Sequence, residues 1–96
     1  MSTKAAAAAA VAERRREIRR RADGEVWMIL EGREAIEIKG RLLDSSAGGF
    51  RAVHQHATMR TGNEVWFRHP NGEGRARVMW NRILPQRVES GFIVLE

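Results

Sequence analysis

The densest group of side chains able to do chemistry lies at positions 14 to 21, which read Arg-Arg-Arg-Glu-Ile-Arg-Arg-Arg. A guanidinium group offers five donors in a planar fork that matches phosphate oxygens and the O6/N7 edge of guanine, and its plane stacks on purines. Pairs of arginines four residues apart occur in two registers, Arg15 with Arg19 and Arg16 with Arg20. The run predicts contact with a phosphate-bearing partner, although a solvated helix face or nonspecific polyanion contact gives the same pattern.

A second polar cluster lies in Asp44-Ser45-Ser46-Ala47-Gly48-Gly49, ahead of a predicted strand. The Asp44 carboxylate could accept the N1 and N2 hydrogens of a guanine, and glycines such as Gly49 allow the backbone to approach a ligand closely. The same sequence also fits a simple turn in which Asp or Ser caps the backbone. Taken alone, it does not separate a nucleotide site from a structural turn.

Other residue types with chemical potential fit structural roles better. His54 and His56 lie two apart on a predicted strand, as metal ligands can, but neither His69 nor a carboxylate has the spacing to complete a set, so we predict surface histidines and no metal site. Asp44, Ser46 and His54 have the composition of a hydrolytic triad. A turn and the strand that leaves it provide no second element to orient them, so we predict that the protein is not an enzyme.

Charge and composition restrict the class of protein. The 96 residues carry a net charge of +5, and positions 1–21 hold seven basic and two acidic residues, so positions 22–96 are neutral overall. A neutral domain with one basic arm is expected to meet phosphate through that arm. The chain has no cysteine, which excludes disulfides and thiolate zinc sites and favours a cytoplasmic location. The apolar run Ala5–Ala12 is shorter than the roughly 20 residues of a membrane span, and no secretion signal is recognised, so we expect no membrane anchor.

The chain divides into an arm, residues 1–21, and a domain, residues 22–96. The arm is rich in Ala, Glu and Arg and favours a helix, but only Val11 and Ile18 could pack, so we expect a flexible or partly helical segment. From Gly24 onward the apolar pattern has period two, interrupted by turn residues. This pattern predicts six strands: Glu25–Leu30, Ala35–Leu43, Gly49–His56, Glu64–His69, Arg75–Asn81 and Gly91–Leu95.

Six short strands without intervening helices predict an all-β fold, a six-stranded antiparallel β-barrel, because closure protects the sheet edges. Asn71-Gly72 is expected to supply the positive φ angles of a tight hairpin. Alternation predicts one core set: Trp27, Ile29, Ile36, Ile38, Leu42, Phe50, Val65, Phe67, Val78, Trp80, Phe92 and Val94. Core filling is a better interpretation of the tryptophans than base stacking, because they do not cluster on a basic face.

The two polar clusters together resemble the motifs of the PilZ domain, a bacterial receptor module for the second messenger cyclic di-GMP. Arg-x-x-x-Arg precedes the first predicted strand, and Asp-x-Ser-x-x-Gly follows about 25 residues later, from Asp44 to Gly49. The resemblance extends through Phe50-Arg51, Gly62, Ala76-Arg77-Val78-Met79-Trp80 and Gly91-Phe92. A helix that often follows the barrel in this family has no counterpart before Glu96, so oligomerisation or docking through that helix is not expected.

The resemblance implies a receptor whose arginines lie on an arm that wraps over cyclic di-GMP and whose second motif lies on the barrel below. Ile18 resembles the apolar residue before the second motif arginine, which favours Arg15 and Arg19, with Arg16 and Arg20 as the alternative register. Asp44, Ser46 and Gly49 complete the implied ligand set. Ordering of the arm would pass the signal to a downstream protein effector, without cofactor or metal.

Two other functions fit the sequence less well. A nucleic-acid-binding small barrel should carry basic residues along the barrel, whereas here they concentrate in the arm. A PilZ-like adaptor that does not bind nucleotide should have a broken motif, whereas both motifs are intact.

Overall fold

The computed structural model describes residues 20–21 and 23–95, and the side chains from residue 23 onward. Seven antiparallel strands form one sheet: β1 (Arg20–Arg21), β2 (Glu25–Leu30), β3 (Ile36–Ser46), β4 (Gly49–His54), β5 (Glu64–His69), β6 (Gly72–Leu84) and β7 (Arg87–Leu95). Their order is β1-β3-β2-β5-β6-β7-β4, and β4 also pairs with β3. This last pairing closes β2 to β7 into the six-stranded barrel that the sequence predicts, and β1 adds a short strand along β3.

The barrel interior is filled by side chains from all six strands. Phe50 occupies its centre, with its ring centroid 4.7 Å from that of Phe67 and 4.6 Å from that of Phe92. Stacked and tilted aromatic pairs at these distances stabilise a core beyond the area they bury. The buried cluster contains Val26, Met28, Leu30, Ile38, Leu42, Phe50, Ala52, Met59, Val65, Phe67, Ala76, Val78 and Phe92, with Val94 packed against it.

Four residues of the predicted core are instead exposed. In β2 the inward face consists of Val26, Met28 and Leu30, so Trp27 and Ile29 point outward. The predicted inward face of β2 was therefore wrong, because an alternation displaced by one residue moves every side chain to the opposite face of the strand. Ile36, at the first position of β3, and Trp80, beyond a register shift between Val78 and Trp80, are also exposed.

Strand ends differ from the predictions at β3, β4, β6 and β7. β3 continues to Ser46, and β6 and β7 form a longer hairpin in which Leu84 pairs with Arg87. The β5–β6 turn lies near the predicted place, but its two loop residues are Pro70 and Asn71, because His69 pairs with Gly72. Positive φ is found among the described residues at Gly24, Gly62 and Gly74, so the expectation for Asn71-Gly72 was wrong.

Within residues 20–21 and 23–95, no helix has the length and hydropathy needed to cross a membrane.

Candidate functional site

The end of the arm joins the barrel beside the Asp-x-Ser-x-x-Gly segment. In β1, Arg20 pairs with Ser45 and Arg21 pairs with Asp44. The sequence analysis assigned both arginines to the arm, whereas their backbone adds to the edge of β3. Arg20 and Arg21 therefore lie along the strand that carries Asp44 and Ser46.

Asp44 is held by an arginine that follows it on the neighbouring strand. Nε of Arg51 donates a hydrogen bond to Oδ2 of Asp44 at 2.7 Å, and Nη2 of Arg51 lies 2.6 Å from the same oxygen. Asp44 is 7% exposed, while the Arg51 side chain remains about half exposed. The hydrogen bond to Asp44 raises the pKa of Arg51 above its usual value, so the guanidinium stays charged. A partly exposed guanidinium and a buried, oriented carboxylate thus lie side by side.

Ser46 and Gly49 close the turn between β3 and β4. They pair across a two-residue loop, and Oγ of Ser46 donates to the carbonyl oxygen of Gly49 at 3.5 Å. A Cβ at Gly49 would collide with the carbonyl oxygen of Phe92, so the position requires glycine for close backbone approach. The serine and the glycine of the motif therefore have a structural role in this turn, next to Asp44.

A polar contact ties this turn to the β5–β6 hairpin. Nδ2 of Asn71 donates to Oγ of Ser45 at 2.7 Å, and the backbone N–H of Asn71 donates to Nδ1 of His69 at 3.0 Å. The ring of His69 packs against Phe50 and Phe67, and this burial lowers its pKa. The tip of the β5–β6 hairpin is thus held next to Ser45, the residue that follows Asp44.

Trp80 is one of the residues near Asp44 that the sequence analysis did not assign to a site. Cross-strand pairing aligns one row across four strands, in the order Trp80, Gly91, Arg51 and Asp44. A Cβ at Gly91 would collide with the indole of Trp80, so the ring lies over the glycine. Trp80 is 39% exposed and offers an aromatic surface in the row that leads to Arg51. The pairing of an outward tryptophan with a glycine on the next strand was the available sequence signal, but it requires the β6–β7 register.

The arginines of the first motif fall largely outside the described residues. Arg15, Arg16 and Arg19 lie beyond them, and only the backbone of Arg20 is described. Their assignment to a ligand remains a prediction.

His54 belongs to a buried hydrogen-bond chain rather than to the surface. Its Nδ1 accepts the backbone N–H of His56 at 3.0 Å, which requires the proton of a neutral ring to lie on Nε2. Nε2 therefore donates to Oγ of Ser90 at 2.7 Å, and Ser90 donates to Oδ1 of Asn81 at 2.5 Å. Nδ2 of Asn81 donates to the carbonyl oxygen of Met59, which fastens the loop between β4 and β5.

Because His54 donates to Ser90, it cannot act as the base that activates this serine. The residues considered as a triad have separate partners: Asp44 bonds to Arg51, Ser46 to Gly49 and His54 to Ser90. Burial, with a smaller effect of the nearby His56, lowers the pKa of His54 to about 4. The prediction that His54 lies on the barrel surface was wrong, since it is 3% exposed.

The described residues contain no cluster of three or more His, Cys, Asp or Glu side chains arranged to hold a metal ion. His56 lies after the end of β4, where its Nε2 is 3.0 Å from Oγ1 of Thr58. The sequence analysis placed both histidines on one strand, but His56 lies beyond the strand end and does not share a strand face with His54.

Comparison with known proteins gives a similarity of fold. Neither a protein-family profile nor a curated protein sequence matches the chain. Among solved structures, the Bacillus subtilis inhibitor of motility (MotI/DgrA) matches with a TM-score of 0.62 at 18% identity over 83% of this chain. The matching region is 42% of that protein, so this chain spans less than half of its length. This likeness is one of fold, and it agrees with the six-stranded antiparallel barrel that the sequence predicts.

Proposed function

We propose that the protein is a receptor for cyclic di-GMP, which binds between the arginine arm and the part of the barrel that carries Asp44, Ser46 and Gly49. The observation that carries the proposal is the pairing of β1 with β3, where Arg20 lies opposite Ser45 and Arg21 opposite Asp44. The described end of the arginine run therefore lies beside the segment from Asp44 to Gly49, which supports a site that uses both motifs.

The chemistry of the ligand matches this arrangement. Cyclic di-GMP carries two phosphate charges and two guanines, so its recognition needs cations, a carboxylate and a stacking surface. Arg15 and Arg19, or Arg16 and Arg20 in the alternative register, would supply the cations. Asp44, oriented by Arg51, would accept the guanine N1 and N2 hydrogens.

Trp80 extends the proposed site along the barrel. Its exposed indole lies over Gly91, in the row that continues to Arg51. Stacking of a base on an aromatic side chain contributes about 1–3 kcal/mol. A guanine lying on Trp80 would bring its edge toward the Arg51–Asp44 pair.

The proposed output is ordering of the arm, which a partner protein reads. A segment that becomes ordered on binding converts ligand concentration into a new surface. The matched structure is named as an inhibitor of motility, which favours a motility protein as the partner. Hydrogen exchange checks the mechanism: the backbone amides of residues 15–19 should exchange more slowly when cyclic di-GMP is added, and unchanged exchange at saturating ligand would contradict it.

Titration calorimetry of the full chain tests the function directly. Cyclic di-GMP, GMP and a short single-stranded oligonucleotide are compared at two salt concentrations. A receptor binds cyclic di-GMP most tightly at both. A nucleic-acid-binding barrel prefers the oligonucleotide and loses affinity steeply with salt, and an adaptor that does not bind nucleotide gives no heat with any of the three.

A further inference from the structure

A second surface lies on the outer face of β3, β2, β5 and β6, where two large tryptophans face solvent. Trp27 is 41% exposed and Trp66 is 50% exposed, and Ile29 between them is 43% exposed. Side chains of this size seldom lie together at the surface of a protein that has no partner there. We call this surface the Trp27–Trp66 face.

Strand register arranges the face as two parallel rows of four outward side chains. The first row, across β3, β2, β5 and β6, is Glu37, Ile29, Trp66 and Arg75. The second row, across the same strands, is Lys39, Trp27, Arg68 and Glu73. Each row therefore has opposite charges at its two ends, and the second row reverses the order of the first.

This pattern is complementary to itself. Consider a twofold axis that lies in the interface, parallel to the strands and between β2 and β5. Each row of one copy then faces the same row of the second copy, with the order of its four residues reversed. Glu37 then meets Arg75, and Lys39 meets Glu73. Ile29 meets Trp66 in the centre, and Trp27 meets Arg68, a pair suited to a cation–π contact.

A twofold axis that lies in the interface and runs perpendicular to the strands gives an equally matched interface. The first row of one copy then faces the second row of the other copy, so that Glu37 meets Lys39 and Arg75 meets Glu73. In the apolar centre Ile29 meets Trp27. Closed dimers use one patch twice, so a patch that satisfies its own charges about a twofold axis is the feature such dimers require.

Charges around the face disfavour an anionic polymer as its partner. Arg75 bonds to Glu31 and Glu64, Arg77 bonds to Glu64, and Arg68 forms an ion pair with Glu73. Lys39 lies 4.6 Å from the Trp27 ring centroid, and Arg75 lies 5.3 Å from that of Trp66. Basic and acidic side chains therefore balance across this part of the barrel, in contrast to the arm.

We propose that the Trp27–Trp66 face is an interaction surface for a second copy of this chain, forming a twofold-symmetric dimer. Trp27 and Trp66 flank a groove of about 600 Å³, which leaves room for large side chains of the second copy. Four strands at about 4.8 Å spacing give a contact smaller than the roughly 800 Å² per partner of a standard stable interface. Association is therefore weak, with dissociation between about 10 µM and 1 mM.

Sedimentation velocity of the full chain between about 5 µM and 1 mM tests the proposal. The sedimentation coefficient should rise from monomer to dimer across this range. Trp66→Glu should leave a monomer at every concentration, whereas Ile83→Glu, a change at an apolar side chain that is 67% exposed outside the face, should leave the dimer intact. Far-UV circular dichroism confirms that both variants are folded. A monomer throughout, or a dimer that tolerates Trp66→Glu, would overturn the proposal.

Charge exchange then identifies the axis. Lys39→Glu places like charges together about either axis and should weaken the dimer by about tenfold or more. Adding Glu73→Lys restores the dimer if the axis is parallel to the strands, and adding Glu37→Lys restores it if the axis is perpendicular. Restoration by one of the two supports the proposal, and failure of both overturns it.

Discussion

Burial determines the chemistry of His54. The ring is enclosed at the end of β4, donates to Ser90 and accepts from the backbone of His56. Both contacts suit the neutral ring, and a second ring proton would displace the N–H of His56 from Nδ1. Burial, with a smaller effect of the nearby His56, lowers the pKa of His54 to about 4. A histidine predicted to lie on the surface is instead part of a hydrogen-bond chain that links β4, β7 and β6.

Stability should depend on pH through this residue. The pKa of His54 is about 4 in the folded protein and about 6.5 in the unfolded chain. The unfolded state therefore binds more protons than the folded state between these two pH values. The contribution of His54 to the free energy of unfolding is complete above pH 6.5 and decreases as the pH falls toward 4. The loss attributable to His54 is about 3 kcal/mol.

Urea unfolding at several pH values between 4 and 7.5 measures this dependence. His54→Gln should lower stability at pH 7 but flatten the decrease below pH 6.5. His56→Gln serves as the control and should keep most of the wild-type slope, because burial is the larger cause of the lowered pKa of His54. His69, whose pKa is also lowered by burial, contributes in the same direction in all three proteins. A slope in His54→Gln equal to that of the wild type would contradict the assignment.

Trp80 should matter for ligand affinity more than for folding. Because the indole is partly exposed over Gly91, Trp80→Ala removes a stacking surface and should weaken cyclic di-GMP binding by about tenfold, or ~1.4 kcal/mol. Trp66→Ala is a matched control, since Trp66 is exposed on β5 in the row that pairs with Arg75, outside the row that runs from Trp80 to Asp44, and this variant should bind the ligand normally. Equal losses of affinity in both variants, measured by calorimetry, would exclude a specific contact with Trp80.

Among the elements, β2 shows where the alternation of apolar and polar residues fails to predict the buried face of a strand. Its five residues Val26 to Leu30 are all apolar, so period two could not decide which face is buried. The flanking acids carried the missing signal: Glu25 and Glu31 share the parity of Trp27 and Ile29, and that is the exposed face. In β6 the shift between Val78 and Trp80 changes the parity within the strand, which no local pattern reveals.

Other elements were predictable because their patterns were unambiguous. β2 and β5 have the predicted ends, and Phe50, Phe67 and Phe92 lie in the core as expected. β7 was predicted four residues short, because its first half carries Arg87, Glu89 and Ser90. Ser90 is fully buried, but its partner His54 comes from another strand, so burial of this polar residue could not be anticipated.

The boundary between arm and barrel leads to a prediction about deletion. The described core is built from β2 to β7 and the loop that carries Met59. Removal of residues 1–19 should therefore preserve a cooperative thermal transition and abolish cyclic di-GMP binding. Differential scanning calorimetry checks the first expectation and ligand titration the second. Loss of the cooperative transition would show that the arm is part of the folding unit.

At the scale of the whole molecule, the excess positive charge and the folded barrel lie in different parts of the chain. The net charge of +5 lies in residues 1–21, while the barrel is neutral and carries Asp44 where the arm joins it. Both motifs of the proposed site were recognisable in the sequence because each is local. The contributions of Arg51, Trp80 and Asn71 depend on pairings between distant strands and became apparent only in the fold.

Substitution of Asp44 most directly tests whether this surface reads a guanine nucleotide, because it separates that role from simple attraction of phosphate. Calorimetry with cyclic di-GMP compares the intact chain with Asp44→Ala and with alanine variants of Arg15, Arg16, Arg19 and Arg20. We expect Asp44→Ala, Arg15→Ala and Arg19→Ala each to lose about tenfold or more in affinity, at least ~1.4 kcal/mol, and Arg16→Ala and Arg20→Ala much less. A steep loss at Arg16 and Arg20 would shift the register by one residue. Tighter binding by Asp44→Ala, or equal small losses at all four arginines that fade with salt, would contradict the receptor.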